Sequence, residues 1–128
     1  MDHEARHMSA QLDRTVNAPR EARGMVQSLV DGALSPFVQD ALLLTSELVT
    51  NAVIHTHVSC DLDATYERAD HRLVVRVRDQ SSLTPEDRPS SEAAAAEGRG
   101  LQLIDALATS WGCNETTQGK EMWFELVE

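Results

Sequence analysis

Lysine is almost missing from this chain. Lys120 is the only one in 128 residues, and 21 acidic side chains against 11 basic ones leave a formal charge of −10. A surface of that sign repels the phosphate backbone of nucleic acid, so nucleic acid is excluded as a partner. Cysteine is scarce too: Cys60 and Cys113 stand far apart with no Cys-x-x-Cys spacing. That excludes a disulfide framework and a zinc knuckle, and leaves both as small core or strand residues. No run of ~18 apolar residues occurs, which gives no support to a membrane span. The start, Met1-Asp2-His3-Glu4-Ala5-Arg6-His7-Met8, is too polar for a signal peptide, so a cytoplasmic protein is expected. Gly-x-Gly-x-x-Gly and Gly-x-x-x-x-Gly-Lys-Ser/Thr are both absent, which excludes Rossmann and Walker phosphate loops. No internal repeat is evident.

The length suits one domain with a single core. Residues 1–10 read as a polar N-terminal tail and residues 11–128 as the folded unit. Leu12 and Val16 suggest an edge strand over Gln11–Val16, punctuated by Asn17-Ala18-Pro19. Pro19 suits a first helical turn, after which Ala22, Val26, Leu29, Val30 and Ala33 recur at helical spacing to about Leu34. Ser35-Pro36 opens a second, longer helix, running to about His55.

From Cys60 the period changes from 3.6 to 2. Cys60, Leu62, Ala64 and Tyr66 alternate with polar residues, Arg68-Ala69-Asp70-His71 makes a tight connection, and Leu73, Val75 and Val77 face one way along the return strand. By parity Asp79 belongs to that inward face, where an unpaired carboxylate costs several kcal/mol. Gln80 to Glu97 has no sustained apolar period and reads as a long loop. Gly98-Arg99-Gly100 opens a helix carrying Leu101, Ile104, Leu107 and Ala108. Strands follow from Trp111 and through Met122, Phe124 and Leu126, joined by the turn Thr117-Gln118-Gly119-Lys120. Three helices laid over one face of a mixed, mostly antiparallel sheet give an α/β (α+β) two-layer sandwich.

The long helix carries the most pointed pattern. Leu48, Ala41, Ala52, Val49, Leu42 and Val53 form one broad apolar stripe, and Glu47 and Asn51, at i and i+4, stack beside it. A carboxylate and an amide therefore point together into whatever adjoins the core. A Glu and an Asn at the rim of a buried helix would show the same spacing. His55 and His57, at i and i+2, fall on different helical faces and make no metal pair.

Four pieces in this order are distinctive: Ser46-Glu47-Leu48-Val49-Thr50-Asn51-Ala52-Val53, then Val77-Arg78-Asp79, then Gly98-Arg99-Gly100-Leu101, then Trp111-Gly112. The combination resembles the GHKL (Bergerat-fold) ATPase/kinase superfamily of gyrase, the chaperone ATPases, MutL and the sensor histidine kinases. Within it, the small anti-sigma-factor serine/threonine kinases are the most similar. The resemblance implies an ATP pocket in an α/β sandwich. Asn51 would be the Mg²⁺ ligand, Glu47 the general base, Asp79 the acceptor for the adenine amino group, and Gly98, Arg99, Gly100 and Leu101 the phosphate-binding end of the lid. It further implies a homodimer whose partners are a sigma factor and an antagonist protein, the latter the phosphoryl acceptor. The alternative is an ATP-binding module that sequesters its partner without turnover. Asp79-Gln80-Ser81-Ser82-Leu83 departs from the glycines many relatives carry after that aspartate.

Overall fold

A computed structural model describes residues 5–55, 59–79, 102–117 and 119–128. In chain order the elements are β1 (Ala5–Leu12), α1 (Ala18–Leu29), α2 (Ser35–His55), β2 (Cys60–Glu67), β3 (Arg72–Asp79), a short helix α3 (102–107), β4 (Ser110–Glu115) and β5 (Lys120–Val127). The five strands make one sheet in the order β1-β2-β3-β5-β4, with every pair antiparallel. The helices lie over one face. The two-layer α+β sandwich expected from pattern is therefore observed, and the sheet is antiparallel among the described residues rather than mixed.

Period-2 alternation sets which face of the sheet is covered. Leu62, Ala64 and Tyr66 on β2, Leu73, Val75 and Val77 on β3, and Met122, Phe124 and Leu126 on β5 are buried beneath the helices. Ala18, Ala22, Val26 and Leu29 of α1 and Ala41, Leu44, Leu48, Val49 and Ala52 of α2 close the core from above. Each large apolar side chain taken fully out of water in this way contributes about 1.5–3 kcal/mol.

Two elements begin or end away from where the sequence reading put them. The first strand is Ala5–Leu12, beginning inside the stretch read as a polar tail, rather than Gln11–Val16. Its eight residues all pair with β2, and cross-strand hydrogen bonding recruits a segment whose own apolar signal is faint. The first helix stops at Leu29 instead of Leu34. Arg6 Nη1 donates to the carbonyls of Leu29 (3.1 Å) and Asp31 (3.3 Å), satisfying oxygens at the helix end, and Gly32 at φ 96 supplies a left-handed turn. The expected loop from Gln80 to Glu97 and the helix-opening Gly98-Arg99-Gly100-Leu101 lie outside the described residues.

The opposite sheet face carries rows of charge. Arg78 pairs with Glu121 (3.2 Å), Arg72 with Glu67 (3.3 Å) and Glu125 (3.3 Å), and Asp63 accepts hydrogen bonds from Ser9 Oγ (2.9 Å) and His7 Nε2 (3.0 Å). Partial burial pushes the Asp63 carboxyl up. The hydrogen bonds from His7 and Ser9 and the charges of His7 and Arg78 outweigh that effect and hold it below its ordinary value. Exposed pairs of this kind contribute about 0–1 kcal/mol each.

Candidate functional site: one end of the sheet

Helix α2 runs the length of the sheet, and two contacts fix its direction. At its start, the Leu34 N–H donates to Glu128 Oε2 (3.2 Å), beside the β2–β3 turn where Glu128 Oε1 meets His71 Nδ1 (3.0 Å). Near its finish, the Val53 carbonyl accepts from Arg14 Nε (3.2 Å). Arg14 follows Leu12, which is paired with Cys60 at the start of β2. The Asn51 turn of α2 is thereby carried to the end of the sheet where β2 begins and β3 stops at Asp79.

Asn51 is 3% exposed, among core residues on both sides in sequence: Leu48, Val49 and Ala52 are all buried. Its side-chain nitrogen is buried and has no hydrogen-bond partner among the described residues. A buried polar atom left unpaired costs about 1–3 kcal/mol, so an apolar residue would serve packing better here. Glu47, one turn earlier and ~6 Å along the axis, is only partly buried. Two neighbours on that helix are tied down. Thr45 Oγ1 donates to the Ala41 carbonyl (2.7 Å), and Ser46 Oγ accepts from Arg23 Nη1 of α1 (2.7 Å).

Asp79, at 6% exposure, occupies the inward face of β3 as its parity required. Its partner directly opposite on β5 is Lys120, at 1% exposure, and Lys120 is in turn opposite Glu115 on β4. On the other side, one step beyond the Asp61–Arg78 pair, lies Cys60. Burial, then the carboxylates of Asp79 and Asp61, push the Cys60 thiol up to about 11, so it stays protonated at neutral pH. Cys60 and Cys113 are both free.

The structure thus brings Asn51 and Asp79 to one end of the sandwich, with Glu47 on the same edge of α2 as Asn51. Gly98, Arg99, Gly100 and Leu101 lie outside the described residues, as does His57. Among the described residues no group of three or more His, Cys, Asp or Glu could hold a metal ion. Among the described residues, surface cavities of about 410, 300 and 520 Å³ are lined by residues other than these. Lys120 is a site-end residue to which the sequence reading gave only a structural role, in a turn. The signal was available: Met122, Phe124 and Leu126 face inward, and two residues earlier the same parity reaches Lys120.

The architecture is an antiparallel sheet under helices, with Asn51 and Asp79 buried where the long helix and a central strand end. A profile of the histidine kinase-like ATPase domain matches residues 4–126, and the chain belongs to that family. Among solved structures it is similar to the RsbU and RsbW domains of Rv1364c from Mycobacterium tuberculosis, with a TM-score of 0.72 at 20% identity. The similarity covers 94% of this chain but 32% of that one, so this chain spans about a third of that protein's solved length. No curated protein matches. No helix among the described residues is long and apolar enough to cross a membrane.

Proposed function

We propose that this domain binds ATP with Mg²⁺ at the Asn51–Asp79 end and acts as an anti-sigma factor, transferring the γ-phosphate to a serine or threonine of an antagonist protein. The observation that carries the reading is the buried Asn51 side-chain nitrogen, which has no hydrogen-bond partner among the described residues. Its nitrogen and oxygen exchange places by a half-turn of the side chain, and the oxygen is a donor that suits a hard cation. Asn51 would hold Mg²⁺ jointly with phosphate oxygens, as that ion generally prefers. Bound there, Mg²⁺ would neutralise phosphate charge.

The remaining roles are those the family resemblance implies. Asp79 would accept a hydrogen bond from the adenine amino group. Glu47, one turn from Asn51 and less buried, would accept the proton of the attacking hydroxyl. Gly98, Arg99, Gly100 and Leu101 would hold the phosphates. A sigma factor, the antagonist and a second copy of the chain are the partners this reading requires.

A second reading keeps ATP as a ligand without turnover: Asn51 and Asp79 bind, and partner sequestration is the whole function. Calorimetry with ATP and Mg²⁺, followed by label transfer from γ-labelled ATP to the cognate antagonist, separates the two. Wild type should bind and label. Glu47→Ala should bind within about threefold of wild type and lose labelling. Binding without labelling by wild type leaves the second reading standing, and no binding refutes both.

A further inference from the structure

The only lysine of the chain is also one of its most deeply buried side chains, and this calls for a reason. Lysine carries ~2 kcal/mol of rotamer entropy and a strongly hydrated ammonium, so burial is costly unless a counter-charge is at hand. A merely structural inward position at the start of β5 would be met by an apolar residue, as at Met122, Phe124 and Leu126. Lys120 instead sits in one cross-strand row between two acids, Glu115 on β4 and Asp79 on β3. Glu115 is exposed, whereas Asp79 is buried beside Lys120. Directly opposite residues on one face have Cβ atoms ~4.5–5.5 Å apart, within easy reach of a four-carbon stem.

We propose that Lys120 is a positioning residue for base recognition, its ammonium holding the Asp79 carboxylate in the orientation that accepts a hydrogen bond from the amino group of a 6-aminopurine. This rests on the ATP reading above and adds a residue to it. A carboxylate has two oxygens and several lone pairs, and a buried one without a fixed donor can rotate or take up a proton. An ammonium on the adjacent strand would fix one side of it and orient the other toward the ligand. Charge-assisted hydrogen bonds are the strong ones, and their worth to binding depends on the acceptor being oriented before the ligand arrives. Within the row the Asp79–Lys120 pair is neutral overall, which is how an acidic chain can present a carboxylate in an apolar setting at all.

The test compares ATP with purine riboside triphosphate, which lacks only the 6-amino group, both with Mg²⁺. Dissociation constants are measured for wild type, Lys120→Arg and Lys120→Met. Wild type should prefer ATP by about tenfold or more, the value of one hydrogen bond to a charged group. Lys120→Met should bind both nucleotides within about threefold of each other, and Lys120→Arg should restore most of the preference. General destabilisation would weaken both nucleotides together and leave the ratio alone. If Lys120→Met does not fold, Lys120→Gln, which keeps a donor but no charge, takes its place with the same expected loss of preference. A wild-type preference retained in the neutral variant overturns the proposal. So does a wild type that binds both nucleotides equally, with ATP binding itself left intact. A wild type that binds neither overturns the proposal and the functional reading beneath it.

Discussion

Replacing Asn51 by leucine should make the nucleotide-free protein more stable while removing its response to nucleotide. The amide is 3% exposed and its nitrogen has no partner among the described residues. Deleting such an orphan recovers about 1–3 kcal/mol. Leucine has the same branching but more volume, and in a close-packed site the added methyl bulk offsets roughly 1 kcal/mol of that. A net gain of about 1 kcal/mol follows, or about 3–6 °C in Tm at this chain length. Asn51→Ala, which removes the orphan but leaves a void, should be close to neutral. Urea unfolding with and without ATP and Mg²⁺ reads both effects. Wild type held at 100 times Kd gains about 2.7 kcal/mol from ligand, and Asn51→Leu should gain none, so the order of stability inverts when nucleotide is added. A loss of more than about 1 kcal/mol in nucleotide-free Asn51→Leu, at unchanged slope in urea, would refute the reasoning. It would mean that the amide is a structural hydrogen-bonding group.

Two further expectations concern the outer sheet face. A Cβ at Gly112 would stand 2.8 Å from Trp123 Nε1 and 3.0 Å from Cε2, so Gly112→Ala must displace the half-buried indole, at a cost of about 1–3 kcal/mol. Chemical denaturation gives the cost and tryptophan fluorescence shows the displacement; an unshifted spectrum would argue against contact. The Asp63 carboxyl is held below its ordinary value of 3.8, so its contribution to stability is present above that pH and lost as pH falls through the lower folded value. Asp63→Asn should therefore lower stability at pH 6 by up to about 1 kcal/mol and converge with wild type near pH 2, as followed by thermal unfolding. A constant difference across that range would assign the effect to something other than ionisation.

What could be read from residues alone was whatever a period or a single backbone constraint encodes. The α2 span Ser35–His55 follows from Ser35-Pro36 and its apolar stripe, and the β2–β3 hairpin from alternation around Arg68–His71, where His71 takes φ 49. The inward placement of Asp79 followed from parity alone. Residues whose position depends on a partner strand were less legible. Ala5–Leu12 has an unconvincing pattern and is a strand because β2 offers it eight partners. Sheet order was not predicted, since β3 pairs with β5 across an intervening helix and strand, and no local signal specifies that choice. Lys120 was given only a structural role for the same reason: its significance lies in what faces it.

The β3–β5 pairing has a consequence for how the domain comes into being. Asp79 and Lys120 meet only after residues 80–119 have been looped out and β5 has docked into the middle of the sheet, between β3 and β4. Closing that loop carries an entropic cost, and β5 is the last strand to be synthesised. During synthesis β1, α1, α2, β2 and β3 can assemble first as a contiguous unit, with α2 and its Asn51 already over the sheet. Until β5 arrives, the end of the sheet that would grip a base is open to water. Chain truncated before Lys120 should therefore be unable to recognise nucleotide even if it collapses, which ties ligand competence to completion of the sheet.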